Sequence, residues 1–340
     1  MMDQLHHVII GSGISGVTAA ETIRKYDRKG RVTILSSEFD MPYRRYALPK
    51  YVSGELSEAK LLLHNSSFYE KKDLKLRLGQ EIQGVDFENR RIFLEHKEVV
   101  SYDRLLIASG SSAHIPVYLE HLSGLIHTLR TLDDARKLRK EIKTAREVFI
   151  IGGTLASLEL MNALLIKKVK VTLLLNKEGF WPLSLSESDH SEIVKRLSRK
   201  ADLVLLVEDD LESIRQEEDR LLIRTTKGTL TISNIIVGSY GYRPELTFLD
   251  HRIIEIDRGV LVDEHLRSSV ADAWAAGDCA QPYHRGMKSY YVNHGWPNAR
   301  FQGRIAGLNM ADKPTRYDTL KVNPFDIEGL EVGTPWWKRF

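Results

Sequence analysis

The chain has 340 residues, of which 42% are hydrophobic and 28% charged, a composition typical of globular proteins and unlike that of disordered, collagen-like or coiled-coil chains. Its 49 basic and 46 acidic residues leave a formal net charge of +3, which is too small to indicate binding to nucleic acid or to a membrane surface. The single cysteine, Cys279, excludes an intramolecular disulfide, a redox-active dithiol and a cysteine-ligated metal cluster. No targeting segment or membrane-spanning apolar stretch is recognisable, so we expect a cytoplasmic protein.

Hydrophobic periodicity predicts strands that alternate with helices from the start of the chain. A short apolar strand at 5–10 is followed by a helical pattern over 14–26 and a β-branched strand at 31–36. The same succession of strand, helix and strand recurs over 148–175, about 140 residues later. Two such units predict an α/β fold with two doubly wound, Rossmann-like domains.

The turn between the first strand and the first helix reads Gly11-Ser-Gly13-Ile-Ser15-Gly16. In a dinucleotide-binding turn the first glycine permits the tight bend, the second lets the backbone approach a pyrophosphate, and the third lets the helix pack on the strand. The amino terminus of the helix offers unpaired N–H groups to the phosphates. Glu38 ends the next strand, 22 residues beyond Gly16, where a carboxylate can accept hydrogen bonds from ribose hydroxyls. Together these features predict a nucleotide site.

Three later segments resemble the FAD-binding segments of the pyridine-nucleotide–disulfide oxidoreductase superfamily. They read Pro-Tyr-Arg-Arg-Tyr-Ala-Leu-Pro-Lys at 42–50, Tyr-Asp-Arg-Leu-Leu-Ile-Ala-Ser-Gly at 102–110 and Ala-Trp-Ala-Ala-Gly-Asp at 273–278. Within the superfamily the chain is most similar to the ferredoxin and rubredoxin reductases and to the flavin domain of assimilatory nitrite reductases. The resemblance extends from residue 5 to about residue 312.

The resemblance implies a particular division of the chain. A discontinuous FAD-binding domain is expected at 1–115 and 250–312, with an NAD(P)-binding-like domain inserted at 116–249. Relatives carry a third, interface-forming domain at the carboxyl-terminal end. Only the tail 313–340 remains here, which is too short for such a domain.

The resemblance also implies roles for individual residues around FAD. It places Arg45 near the pyrophosphate, Lys50 near the isoalloxazine, and Asp278 against the ribityl and phosphate portion. The helix that carries Asn298 and Gln302 resembles one whose amino-terminal end faces the flavin, where its dipole stabilises negative charge on the reduced ring. The FAD-binding residues predicted by the motif and the resemblance together are Gly11, Gly13, Ser15, Gly16, Glu38, Arg45, Lys50, Ala108, Ser109, Gly110, Gly277, Asp278, Asn298 and Gln302.

The second glycine turn departs from the family pattern. It begins with Gly152 and Gly153, but Thr154 and Ser157 stand where the family has glycines. A β-branched side chain at Thr154 occupies the place where the backbone should meet a pyrophosphate. The next strand ends at Asn176, so the acid that would bind the ribose of NAD is missing.

Two interpretations of this second turn stay open. In the first, NAD(P)H still binds, weakly or in altered form, and the flavin transfers electrons between it and a protein redox partner. In the second, the site is empty, and the chain is an FAD-containing electron-relay or structural subunit of a larger redox complex. Glu159 stands where relatives keep a glutamate near the nicotinamide and the flavin, so the resemblance makes Lys50 and Glu159 the candidate catalytic pair.

The flavin itself is expected to perform the chemistry. Disulfide-reductase branches carry a cysteine beside the flavin, whereas residues 40–60 contain none, so disulfide reduction lacks its nucleophile. No histidines have the spacing of a metal site, and no metal is expected. What remains is an isoalloxazine that accepts a hydride and passes electrons on singly.

The carboxyl-terminal tail carries an unusual number of aromatic residues. Residues 320–327 are compatible with one edge strand, and the chain ends Pro335-Trp-Trp-Lys-Arg-Phe340. Adjacent tryptophans are costly to leave in water and are frequent interface anchors. The tail either packs on its own chain or docks on a partner protein, and we favour the partner.

Overall fold

The computed structural model describes residues 4–177, 179–181, 183, 185–218, 220–292, 294–317 and 325–332. Within these ranges the α-helices are α1 (Ile14–Tyr26), α2 (Leu48–Val52), α3 (Ser66–Lys71), α4 (Leu132–Ile142), α5 (Leu155–Ile166), α6 (Glu187–Leu197) and α7 (Trp296–Met310). The strands are β1 (His6–Ile10), β2 (Arg31–Leu35), β3 (Lys75–Arg77), β4 (Ile82–Asp86), β5 (Arg91–Leu94), β6 (Val99–Ser101), β7 (Arg104–Ile107), β8 (Ser111–Ala113), β9 (Glu147–Ile151), β10 (Lys170–Leu175), β11 (Leu203–Val207), β12 (Leu211–Glu217), β13 (Arg220–Thr225), β14 (Leu230–Ser233), β15 (Ile235–Gly238), β16 (Tyr242–Pro244), β17 (Val260–Val262), β18 (Ala273–Ala275), β19 (Ala280–His284), β20 (Ser289–Tyr290), β21 (Phe325–Ile327) and β22 (Leu330–Val332).

The chain divides into two units. The described residues of the first unit lie within 4–44, 62–112 and 243–317, and those of the second within 45–61, 113–242 and 325–332. The sequence prediction assigned 45–61 to the FAD domain, whereas the structure groups this segment with the second unit. The reason is local packing, since α2 packs against α4 and α5.

The first unit is built on a five-stranded parallel sheet with the order β18-β7-β1-β2-β3. Apart from their first residues, its central strands β7, β1 and β2 are buried, and most of the buried residues are apolar, as expected for a parallel sheet that is covered on both faces. Helix α1 packs on β1 and β2, and α7 packs on α1. The two helices can approach closely because Gly303 has no side chain. A Cβ at this position would lie only 2.2 Å from the carbonyl oxygen of Ser15.

The second unit repeats this plan with a four-stranded parallel sheet of order β11-β10-β9-β15. Phe149, Leu174 and Ile236 are buried in the core that this sheet contributes to. Helix α4 begins with a capping box, in which the Thr131 hydroxyl accepts from the backbone N–H of Asp134 at 3.1 Å and the Asp134 carboxylate accepts in return at 2.9 Å. The prediction of an α/β fold with two doubly wound, Rossmann-like domains is confirmed.

The described part of the carboxyl-terminal tail is a hairpin of β21 and β22 that belongs to the second unit. It packs against α6 and buries Ile327 and Val332. Glu328 fixes it, since its carboxylate accepts a hydrogen bond from Asn162 at 2.9 Å and lies 2.7 Å from the Lys200 ammonium. This stretch therefore packs on its own chain, while the aromatic segment 335–340 lies outside the described residues.

Candidate functional site

The first glycine turn, between β1 and α1, fits tightly against the end of β7. Gly11 has a φ of +109°, and a Cβ on it would lie 2.1 Å from the carbonyl oxygen of Ala108. A Cβ on Gly16 would lie 2.0 Å from the carbonyl oxygen of Gly11. Real Cβ atoms cannot approach so closely, so the fold itself requires glycine at these two positions.

Gly13 is different, because the fold does not require a glycine there. Its φ of −66° and ψ of 177° are open to any residue, and a Cβ would meet no atom of the described residues within 4 Å. As the N-cap of α1, Gly13 also leaves the helix without a side-chain cap. An uncapped helix terminus beside open space is what a pyrophosphate needs, so this turn fits the diphosphate of FAD.

Glu38 follows β2 at the edge of the sheet where the first turn lies. Its carboxylate accepts a hydrogen bond of 2.7 Å from the hydroxyl of Tyr43. Beside it the Ser12 hydroxyl donates to the Ser36 hydroxyl at 2.8 Å. Tyr43 and Ser36 were not identified from the sequence, although Tyr43 stands in the segment 42–50 that resembles an FAD-binding segment. Tyr43 thus restrains the Glu38 carboxylate, whose role toward a ribose stays a prediction.

Gly277, after β18, is brought together with two other predicted residues. Its N–H donates to the amide oxygen of Gln302 at 2.7 Å, and Gln302 on α7 is fully buried. Gly277 has a φ of +91°, and a Cβ there would lie 2.7 Å from the hydroxyl of Ser15. Ser15 and Gln302 therefore shape this junction by packing and hydrogen bonding.

Asp278 lies beside the start of α7. Its carboxylate accepts from the Ser111 hydroxyl at 3.1 Å and lies 3.8 Å from the imidazole of His294. The Asn298 amide donates to the carbonyl of His294 at 3.2 Å, and the N-cap Gly295, with a φ of +115°, supplies no side-chain cap to α7. Asp278 and Asn298 thus lie near one helix amino terminus, and their roles toward FAD stay predictions.

The segment Ala108–Gly110 leads out of β7 and is anchored on both sides. The N–H of Ala108 donates to the carbonyl of Ile10 at 2.8 Å. The Ser109 hydroxyl donates to the carbonyl of Glu245 at 2.6 Å, and the N–H of Glu245 donates to the carbonyl of Gly110 at 3.1 Å. Ser109 and Gly110 therefore fix the point at which the chain leaves the first unit and returns to it.

The second glycine turn, between β9 and α5, is constructed in the same way. Gly152 has a φ of +94°, and a Cβ on it would lie 2.0 Å from the carbonyl oxygen of Ser239. Ser239 follows β15, and its N–H donates to the carbonyl of Ile151 at 2.7 Å. Gly152 and Ser239 thus have the roles that Gly11 and Ala108 have in the first turn.

The two turns differ at Thr154, which is only 1% exposed. Its hydroxyl caps α5 by accepting from the N–H of Ser157 at 3.2 Å, and it lies 2.6 Å from the hydroxyl of Ser239. The Ser157 hydroxyl donates to the carbonyl of Gly152 at 2.7 Å. These three hydroxyl groups close the turn from within. Gly153 is also covered, since a Cβ on it would lie 2.6 Å from the carbonyl oxygen of Gly179.

This second turn does not offer the open backbone that a pyrophosphate meets at the first turn. A dinucleotide in the usual position would have to move the Thr154 side chain and replace its contacts. Asn176 supplies no carboxylate at the end of β10. The turn as it stands is therefore a poor fit for NAD(P).

Lys50 and Glu159 belong to the second unit, where α2 packs against α5. Desolvation raises the pKa of the Glu159 carboxyl, the Lys50 ammonium lowers it, and the Glu55 carboxylate raises it. A guanidinium N–H of Arg45 donates to the carbonyl of Arg130. The roles of Arg45 and Lys50 toward the flavin stay predictions, as does the catalytic role of Glu159.

Cys279 is fully buried, and burial raises the pKa of its thiol. The sulfur donates weakly to the carbonyl of Ile107 at 3.4 Å. In the described part of the chain no cluster of three His, Cys, Asp or Glu side chains is arranged to hold a metal ion. Nor does any helix in that part combine the length and apolar character that a bilayer crossing needs.

Comparison with known proteins identifies the family. Residues 5–303 match the family described as pyridine nucleotide-disulphide oxidoreductase. The chain is 28% identical over 334 residues to an NADH-rubredoxin oxidoreductase of Clostridium acetobutylicum, with 96% of this chain and 80% of that protein covered. It is 29% identical over 334 residues to the ferredoxin–NAD(+) reductase component of a biphenyl dioxygenase system of Paraburkholderia xenovorans, with 95% and 79% covered.

A solved structure shares the fold. In the covalent complex of putidaredoxin reductase with putidaredoxin, the matched chain superimposes with a TM-score of 0.86 at 20% sequence identity. The match covers 96% of this chain and 80% of that chain. At this identity the likeness establishes the architecture alone.

Proposed function

The chain belongs to the pyridine nucleotide-disulphide oxidoreductase family, and on that premise we propose that it is an FAD-dependent oxidoreductase that transfers electrons between NAD(P)H and a protein redox partner. The observation that carries the proposal is the first turn. There the backbone at Gly13 faces open space at an uncapped helix terminus, while Gly11 and Gly16 hold the turn in shape. The names of two relatives, an NADH-rubredoxin oxidoreductase and a ferredoxin–NAD(+) reductase component, support the same type of electron transfer.

Bound FAD supplies a ring that takes up two electrons from a hydride donor and releases them singly to a protein acceptor. The chain's own residues bind and orient it. The N–H groups at the start of α1 hold the diphosphate, and Glu38 accepts from the ribose. Asp278 accepts hydrogen bonds from hydroxyl groups of FAD, and the positive amino-terminal end of α7 stabilises negative charge on the reduced ring.

The Thr154 hydroxyl network favours a second candidate function. If the second turn takes no nucleotide, the chain is an electron-relay or structural subunit whose FAD exchanges electrons with proteins alone. Lys50 and Glu159 support the first candidate, because α2 and α5 hold them close enough for the ammonium to act on the carboxyl.

Anaerobic titration of the purified holoprotein with NADH and NADPH separates the candidates. We expect the visible absorbance of the flavin to bleach, with saturation only at high nucleotide concentration because Thr154 weakens binding. If dithionite bleaches the flavin and neither nucleotide does, the electron-relay function replaces the first candidate. A protein that is colourless and cannot be reconstituted with FAD would contradict both.

We also propose that the aromatic tail 335–340 contacts the redox partner and that the protein acts in the cytoplasm. The tail proposal rests on its two tryptophans and terminal phenylalanine. Deletion of 335–340 should weaken association with the purified partner and leave flavin reduction unchanged. An unaffected complex would contradict the role of the tail.

A further inference from the structure

A cleft of about 1050 Å³ opens in the second unit at the amino-terminal ends of β9 and β10. These strands begin at Glu147 and Lys170, and both residues line the cleft. The glycine turn with Thr154 follows the carboxyl end of β9. The cleft and the turn therefore lie at opposite edges of one parallel sheet.

The lining of this cleft is strongly basic. Among the described residues of the lining, one acidic residue, Glu147, stands with seven basic ones. The resulting excess of six positive charges is twice the net charge of +3 of the whole chain, so the rest of the protein is net negative. The basic lining residues are Arg139, Lys143, Arg146, Lys167, Lys168, Lys170 and Arg220.

Six of these cations, all except Arg139, are exposed. Arg139 is used structurally, since it donates to the carbonyl of Tyr51 at 3.0 Å and lies 4.4 Å from the centre of the Tyr51 ring. Among the described residues the six exposed cations make a single ion pair, between Lys170 and Glu147 at 3.8 Å. Such a long, exposed pair neutralises little charge.

Helix dipoles explain only part of this charge. Lys143 and Lys167 are the C-caps of α4 and α5, where a cation offsets a partial negative charge of about half an electron. Arg146, Lys170 and Arg220 lie outside the helices, at or next to the starts of strands. An uncompensated positive surface remains after the helix ends are satisfied.

The chemistry of the lining identifies the kind of anion. The part of the lining that the structure describes has no Phe, Tyr or Trp, and so offers no stacking surface of the kind that single-stranded nucleic acid uses. The N–H groups of Arg146 and Glu147 both donate to the Asn234 side chain, at 3.0 and 3.2 Å, and are not available to a small phosphate. Flexible, exposed cations around a concave surface instead suit the carboxylates of a protein.

We propose that this basic cleft docks an acidic surface of a partner protein. Charge complementarity of this kind increases the rate of association and disfavours partners of like charge. The proposal goes beyond the proposed function, because it gives the chemistry and place of a docking surface whatever donor reduces the flavin. A partner bound here leaves the second turn free, at the other edge of the sheet.

The test uses holoprotein and a labelled oligoglutamate peptide as the acidic probe, with binding followed by fluorescence anisotropy at low ionic strength. The cleft variant combines Lys143→Glu, Arg146→Glu and Lys170→Glu. The matched control combines Lys29→Glu, Lys71→Glu and Lys75→Glu, which reverse three exposed charges in the first unit. We expect the cleft variant to lose about tenfold or more in affinity, and the control about twofold or less. Equal losses in the two variants would overturn the proposal.

Further arms identify the ligand class and check the fold. A single-stranded oligonucleotide of equal charge and vesicles with anionic lipid should bind more weakly than the peptide, and tighter cleft-dependent binding of either would also overturn the proposal. Flavin reduction should be the same in the cleft variant and the parent protein, so failure of the proposed function is detected separately. The thermal midpoint should fall by only a few degrees, since Lys143 offsets the dipole of α4 and Lys170 pairs with Glu147. If charge reversal prevents folding, the matching Lys→Gln and Arg→Gln variants answer the same question.

Discussion

The hydroxyl oxygen of Thr154 lies 2.6 Å from the hydroxyl oxygen of Ser239, and this contact distinguishes two turns that are otherwise built alike. At the first turn the corresponding residue is Gly13, and no atom in the described part of the chain lies within 4 Å of the position of a Cβ there. One position therefore decides whether the backbone of a glycine turn is open to a diphosphate or closed by its own side chains.

Thr154→Gly should tighten nicotinamide nucleotide binding several-fold, because it removes the side chain that closes the turn. Loss of the N-cap should cost α5 only a few tenths of a kcal/mol, since glycine is tolerated at that position. Thr154→Ser is the control, because it keeps the hydroxyl and should behave like the parent. Anaerobic flavin reduction at increasing NADH and NADPH gives the affinities, and an unchanged affinity in Thr154→Gly would refute this steric account.

Gly13→Val should abolish FAD binding without unfolding the protein. The backbone angles of Gly13 accept valine and its side chain enters open space, so the apoprotein should melt within a few degrees of the parent. Gly16→Ala gives the contrasting case, because its Cβ would meet the Gly11 carbonyl at 2.0 Å and the fold should suffer. The ratio of bound flavin to protein and the thermal midpoint measure the two effects. Normal flavin content in Gly13→Val would show that the diphosphate lies elsewhere.

Gly303→Ala should destabilise the first unit by about 1–3 kcal/mol, the usual cost of overpacking. The new methyl group would lie 2.2 Å from the carbonyl oxygen of Ser15 and force α1 and α7 apart. Gly124→Ala is the matched control, since a Cβ there meets nothing within 4 Å. Denaturant unfolding of the apoproteins compares the two substitutions. Equal effects would mean that α1 and α7 are not held at this separation.

The carboxyl of Glu159, an exposed residue of α5, should make a small, solvent-screened contribution to the pH dependence of folding stability. Desolvation raises its pKa in the folded chain, so its protonated form is favoured there. Its contribution to the unfolding free energy is therefore present below the ordinary pKa and is lost as pH rises through the raised value. Glu159→Gln should remove this dependence, while Lys50→Met should move the loss to higher pH by deleting the cation that lowers the pKa.

Unfolding free energies measured between about pH 4 and 7 for the parent and both variants test this linkage. The ordinary pKa of a glutamate carboxyl lies near the lower end of this pH range. Glu55→Gln provides the opposite control, since removal of this neighbouring carboxylate should move the loss to lower pH. Superimposable pH profiles for the parent and Lys50→Met would show that the ammonium does not act on Glu159.

The sequence was sufficient for features that depend on neighbouring residues. Apolar strands and spaced glycines are local patterns, and both parallel sheets and the shape of the first turn follow from them. The contact of Thr154 with Ser239 joins residues 85 positions apart, and no local sequence pattern predicts it. Only the analogy between the ends of β7 and β15 could have pointed to Ser239.

Packing between distant segments explains the other differences. The short helix α2 belongs with α4 and α5 because of side-chain contacts that periodicity does not encode. The hairpin of β21 and β22 is fixed by Glu328, whose partners Asn162 and Lys200 precede it by more than a hundred residues. A strand could be expected near 320–327, but its docking surface could not.

The complete enclosure of Cys279, the single thiol of the chain, has a practical consequence. A maleimide reagent should leave the native protein unmodified, so one cysteine introduced at an exposed position would carry a spectroscopic label alone. Spin or fluorescence probes placed in this way would report distances and motions without signal from a label on Cys279, and Cys279 would not have to be replaced first.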